Sequence, residues 1–169
     1  MASSIHLLIV LFLFISSPTI IMAKEIKYNH NSITVPEIKK KINFTVLTPK
    51  KIPSDWTLEI KTYPWGVTEN ITNFRLHYMD SQDTILIVGI DQRKENPLNE
   101  ELLSPNAKQV NINGNKGYFA EWGNSGTLDN HGELINGGLL FWAQDGTYLT
   151  MNSSRLSKEK MLEIARSMK

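Results

Sequence analysis

The sequence predicts an α+β fold: an antiparallel sheet of about five to seven strands packed against a short N-terminal helix and a C-terminal helix. Three observations predict it. Period-two alternation dominates the middle of the chain. Two alternating stretches meet at Asn113-Gly114 and Asp145-Gly146, both tight-turn signals. Helical periodicity is confined to the two ends.

The lead-in from Lys24 to Thr34 is polar. Val35-Pro36-Glu37-Ile38-Lys39-Lys40-Lys41-Ile42 predicts a short helix. Thr34 can cap it, Pro36 suits the first turn, and Val35, Ile38 and Ile42 recur at helical spacing. Phe44-Thr45-Val46 alternates and predicts a strand, with Pro49 and Pro53 stiffening the link onward. Thr57 to Lys61 predicts a strand with Leu58 and Ile60 facing in. Phe74, Leu76 and Tyr78 share one face of the next strand. Thr84 to Ile90 is apolar on both faces, the pattern of a central strand covered on both sides, with a helix on one of them. Asn96 to Leu103 predicts one or two helical turns, capped by Asn96 and stopped by Pro105.

In the Asn113-Gly114 hairpin, Val110, Ile112 and Phe119 share one face, while Tyr118, Ala120 and Trp122 share the other. In the Asp145-Gly146 hairpin a two-residue loop pairs Ala143 with Tyr148, Trp142 with Leu149 and Leu140 with Met151, which places Leu140, Trp142, Leu149 and Met151 together. Between the hairpins, the Gly- and Asn-rich stretch from Gly123 to Gly138 predicts a long loop. The chain closes with a helix. Ser157 is its N-cap, Leu156 and Met161 form a hydrophobic staple, and Met161, Leu162, Ile164, Ala165 and Met168 form its buried stripe.

Met1 to Ala23 contains no Asp, Glu, Lys or Arg, and Leu7 to Ile15 is uninterruptedly apolar. Ser16-Ser17-Pro18 breaks that run, and Ile21-Met22-Ala23 is a small-residue end before Lys24-Glu25. This is the layout of a secretory signal peptide. The expected organisation is a signal peptide over 1–23 and a single α+β domain over 24–169, secreted and extracellular. The alternative is a membrane anchor through an uncleaved N-terminal segment, since about 20 apolar residues span a bilayer. The net charge of +1 does not point to nucleic acid. The absence of cysteine excludes a disulfide framework, thiol chemistry and a lipid-bearing N-terminal cysteine.

Three stretches carry a resemblance. They are the short helix leading into Ile42 to Trp56, with its aromatic stretch and Ile52-Pro53 pair; the hairpin Ile112 to Tyr118; and the terminal helix Leu156 to Met168. Together they resemble a family of uncharacterised extracytoplasmic domains, a domain of unknown function common in secreted and membrane-anchored Bacillus-type proteins. The resemblance implies structural motifs and no catalytic residues.

Asp129, His131 and Glu133 alternate but lack a convergent fourth ligand, so solvated loop chemistry is favoured over a metal site. Asp80 and Asp83 flank a turn. His30, His77 and His131 are scattered, and no nucleophile elbow is present. No catalytic residue, metal or cofactor is therefore assigned. Lys39-Lys40-Lys41 with Lys50-Lys51 is the densest basic cluster and reads as a solvated face. Trp56 and Trp142 read as core; Trp65 and Trp122 are the candidate ligand-binding residues. The expected function is an exported, non-enzymatic binding or interaction module at the bacterial cell envelope. Its partner would be an unknown protein or envelope component, with peripheral membrane or wall contact and no nucleic acid. The alternatives are a carrier of a lipid or other apolar ligand in a sheet–helix cavity, and an uncharacterised hydrolase.

Overall fold

The computed structural model describes residues 25–65, 69–94, 104–129 and 131–169. The predicted signal segment Met1 to Ala23 and the predicted helical turns at Asn96 to Leu103 lie outside the described residues. The fold is α+β, as expected. Seven strands form one antiparallel sheet: β1 (Thr57–Tyr63), β2 (Asn73–Met79), β3 (Leu86–Lys94), β4 (Lys108–Ile112), β5 (Asn115–Leu128), β6 (Leu134–Gln144) and β7 (Thr147–Ser153). Their order is β1-β2-β3-β7-β6-β5-β4. Two meanders of sequence neighbours are joined by the β3–β7 pair.

Alternation decides which face is buried. Leu58 and Ile60 on β1 oppose Tyr78 and Leu76 on β2, which oppose Val88 and Ile90 on β3. Across the junction Ile90 meets Met151, and beyond it Trp142 pairs with Leu149 and Leu140 with Met151, the predicted register. All these side chains are buried on one face. Helices α1 (Val35–Lys41) and α2 (Lys158–Arg166) join the same core through Val35, Ile38, Met161, Leu162, Ile164 and Ala165. Both tight turns have positive φ at both central residues: 53° and 89° at Asn113-Gly114, 51° and 75° at Asp145-Gly146. That is the hairpin geometry these residue pairs favour.

Three expectations are corrected. Phe44-Thr45-Val46 is irregular, not a strand. Its surroundings are satisfied elsewhere: the Thr147 hydroxyl donates to the Thr45 carbonyl (2.6 Å), and Leu47 pairs with the side chain of Gln92. The apolar run from Thr84 does not start a strand covered on both sides. β3 begins at Leu86, and Ile85 and Leu86 are exposed beside a register shift at Tyr78–Met79. The helices cover one face of this central strand, as expected, and on the other face the Arg75 side chain lies over Gly89. Finally, the stretch from Gly123 to Gly138 is mostly strand. β5 runs to Leu128 and β6 resumes at Leu134, and irregular pairing around Asn124 breaks the alternation that would have marked it.

Both sheet edges are dressed. On β1, Leu58 donates to the Lys27 carbonyl (2.8 Å) and the Ile60 amide donates to the Ser32 hydroxyl (2.6 Å). On β4, the Arg166 guanidinium donates to the Asn111 carbonyl at 3.1 and 3.3 Å.

Candidate functional site

β5 and β6 hold 14 and 11 residues, whereas their flanking strands β4 and β7 hold 5 and 7. The excess projects as a two-stranded arm. Its tip is built by Asp129, whose carboxylate accepts from the backbone N–H groups of His131 (2.8 Å) and Glu133 (2.9 Å). Those bonds hold the Asp129 carboxyl below its usual range. Leu128 and Leu134 face each other just below the tip. Leu134 has the parity of Leu140 and Trp142, so it points to the helix side of the sheet. No described helix reaches that far. Leu128 is therefore 56% exposed, Leu134 53% and Trp122 39%.

The opposite wall is the start of α2. Its position follows from Ser153, whose hydroxyl accepts from the Arg155 and Leu156 amides (3.0 Å each) and donates to the Ile87 carbonyl (2.6 Å). Ser157 then caps the helix through the Lys160 amide. Between arm and helix lies an open groove of about 1570 Å³, with Trp122, Leu128 and Leu134 on one wall and Leu156 and Lys158 on the other. The Lys158 ammonium sits 5.6 Å from the centre of the Phe119 ring in the same groove.

The helix-free face gathers polar groups instead. Register places His77 directly beside Glu59, and His30 reaches Glu59 (3.6 Å) and Asp83 (2.9 Å). Two histidines that read as scattered therefore flank one carboxylate. Burial works to raise the Glu59 carboxyl, but the hydrogen bond and charge of Lys61, helped by His30, leave it below its usual range. Burial, then the charges of Arg75 and Lys61, pushes His77 down to about 4, so its ring is neutral near pH 7. Next to them Arg75 pairs with Asp91 (3.2 Å) and donates to Asn152 (2.5 Å). Burial raises the Asp91 carboxyl despite both neighbouring arginines.

The sequence model of the domain of unknown function DUF4367 matches residues 46–168. The chain belongs to this family. No curated protein and no solved structure matches it. The DUF4367 match opens one residue before Leu47 and closes at Met168, which forms a bridge with Pro49. Its two ends thus lie side by side in the fold. Thr48 and Lys169 exchange backbone bonds of 2.9 and 3.1 Å there.

Of the two candidate tryptophans of this DUF4367 chain, Trp122 lines the groove and Trp65 does not. Trp65 is 69% exposed just beyond β1, stacked aslant Tyr63 and under the Lys61 ammonium at 5.0 Å. Five strand spacings, about 24 Å, separate β1 from β5, so the two tryptophans form no common patch. Trp142 is core at 1% exposure, and Trp56 packs half-buried against Tyr78. Asp80 accepts from the Thr84 (2.7 Å) and Ile85 (2.9 Å) amides, which is turn chemistry. Among the described residues no three His, Cys, Asp or Glu side chains converge on a metal position. The exposed Lys39, Lys40 and Lys41 lie on α1, away from the groove. Leu128 and Leu134 are the groove residues that sequence reasoning missed. Their symmetric placement about Asp129 to Glu133 was the available signal.

Proposed function

We propose that this chain is an exported, non-enzymatic binding module of the bacterial cell envelope, and that the groove between the β5–β6 arm and α2 receives its partner. The observation that carries this reading is the exposure of Trp122, Leu128 and Leu134 together on one wall. Large apolar side chains grouped in an exposed patch are common anchors of a protein interface. The polar groups that the fold does gather, such as Arg75 with Asp91 and His30 with Asp83, are engaged with one another. That favours binding over hydrolysis. Among the described residues the layer between sheet and helices is filled by fully buried side chains, including Ile38, Phe74, Trp142, Met151 and Met161. That favours a partner held in the open groove over an apolar ligand enclosed in the core. Export rests on the charge-free, apolar segment Met1 to Ala23.

The test is site-specific photo-crosslinking in the host. A photoreactive residue at Leu134 is expected to give a discrete adduct in the envelope fraction, while one at exposed Ile85 gives none. No adduct from Leu134, or the same adduct from both sites, would remove the groove as the binding surface.

A further inference from the structure

Of the large apolar side chains exposed among the described residues, Ile26, Ile85, Leu86, Trp122, Leu128 and Leu134 all lie at one end of the sheet. The register fixes that end. Leu58, Tyr78 and Val88 stand side by side, and Gly89 opposite Asn152 sets Val88 beside Ser153. Ser153 in turn faces Gly138, which faces Glu121. Beyond this row, in one direction, come Leu86 and Ile85 at the start of β3 and Trp122, Leu128 and Leu134 on the arm. Ile26 joins them, because the Leu58 amide donates to the carbonyl of the next residue, Lys27, and the lead-in then runs parallel to β1. Trp65 alone is elsewhere, past Tyr63 at the opposite end.

The strand rise sets how far each tip reaches. Leu134 stands about 13 Å beyond the row and Leu86 about 7 Å, a difference of about 6 Å. An apolar surface that lies in a lipid interface sinks about 5–10 Å, which covers that difference. The chain outside the described residues points the same way. The described chain opens with Glu25 at this end, and the apolar run Leu7 to Ile15 precedes it. As an anchor, that run would hold this end against the bilayer; as a signal, it would be cut there and leave this end nearest the membrane. Trp122 suits such a boundary, where indole rings settle at headgroup depth.

We propose that this end of the sheet docks on a lipid bilayer, with Leu128 and Leu134 entering the acyl boundary and Ile26, Ile85 and Leu86 resting at headgroup depth. Apolar contact drives the docking, because the charge here is mixed: Lys27, Arg155 and Lys158 against Glu25, Asp83 and Glu133. The acids of the two turns, Asp80 and Asp129, are folded back onto amides of their own turns. The groove opens at this same end, so a partner held in it would be met at the membrane surface. The two readings fail separately: lipid alone probes this one, whereas a protein adduct scores the groove.

The chain contains no cysteine, so a single thiol carries a polarity-sensitive fluorophore without competition. Leu134→Cys, Ile85→Cys and Trp65→Cys, each made in the full chain and recovered as the host exports it, are labelled and mixed with phosphatidylcholine or phosphatidylglycerol vesicles. Thermal melting verifies that each labelled variant folds. Emission at positions 134 and 85 is expected to shift to the blue with both lipids, more at 134, while position 65 stays unchanged. The shift should persist at high salt, since apolar contact is not screened. The unaltered chain supplies a second readout: vesicles should slow hydrogen exchange at the arm tip and at the β2–β3 turn, and leave the Tyr63 end of β1 alone. No shift at position 134 or 85, an equal shift at 65, or loss of the shift in salt would each overturn the proposal. A shift seen only when the vesicles carry envelope proteins would also overturn it and assign this end to a protein partner.

Discussion

The side-chain amide of Gln92 pairs with the backbone of Leu47 as a neighbouring strand would. Its Oε1 accepts from the Leu47 N–H at 2.9 Å, and its Nε2 donates to the Leu47 carbonyl at 2.7 Å. Gln92 is fully buried on the helix side of β3, between Phe74 on β2 and Leu149 on β7. One polar residue thus fastens the irregular segment after α1 to the middle of the sheet. Replacing it by leucine would keep its bulk and orphan two backbone groups in the core. The expected loss is about 2–4 kcal/mol, read as a lower urea midpoint at unchanged slope. A loss under about 0.5 kcal/mol would mean that water replaces the amide without difficulty.

Acid should loosen the sheet through His77. Its folded value of about 4 lies below the ordinary 6.5. Between those values the unfolded chain binds a proton that the folded chain refuses, so stability rises with pH across that window and falls as pH drops from 6.5 to 4. The ring is half-buried, so solvent screening reduces the effect to about 1–2 kcal/mol. Urea midpoints of the native chain and of His77→Gln should diverge between pH 7 and pH 4, with the variant losing less. Parallel pH profiles would show that the histidine contributes nothing to acid sensitivity.

Two glycines on the sheet should respond differently to alanine. A methyl carbon at Gly137 would sit 2.2 Å from the Ser153 carbonyl oxygen and 2.5 Å from the Ser154 Cα, both backbone atoms. At Gly89 the three atoms nearest to it would all belong to the Arg75 guanidinium, the far end of a flexible side chain. Gly137→Ala is expected to cost about 2–3 kcal/mol, because strands would have to part. Gly89→Ala should cost about 1 kcal/mol or less, with Arg75 swinging away from Asn152. Thermal denaturation of both variants decides it; equal losses would contradict the difference between backbone and side-chain obstruction.

The parts legible in the sequence are those where one local rule governs. Asp145-Gly146 dictates a two-residue loop, and the loop sets the register of Leu140, Trp142, Leu149 and Met151. Ser157 and the stripe from Met161 mark α2 in the same way. The arm was hidden because irregular pairing around Asn124 shifts Leu128 out of phase with Phe119, and glycine and asparagine disguise the strand. The Phe44 to Val46 segment alternates like a strand yet needs no strand partner, because Gln92, distant in the chain, satisfies the backbone beside it. Only strand order reveals that His77 adjoins Glu59 and that Trp65 and Trp122 stand far apart. The groove is half legible: Trp122 stands out in the sequence, but Leu128 and Leu134 acquire meaning only once their exposure on a shared wall is known.

That exposure separates binding from folding in a single measurement. Leu128 and Leu134 leave more than half of their surfaces in water, so polar replacements forfeit little burial. Leu128→Ser and Leu134→Ser together are expected to shift stability by less than about 1 kcal/mol. A groove that serves only as surface would tolerate them silently. A groove that anchors a partner would lose its central contacts, and truncating such anchors commonly costs 2 kcal/mol or more of binding, about a thirtyfold drop in affinity. The double variant, with photoreactive chemistry placed at Trp122, should therefore melt like the native chain yet fail to form the envelope adduct. A variant that folds and still crosslinks to the same partner would show that the apolar wall is not what the partner recognises.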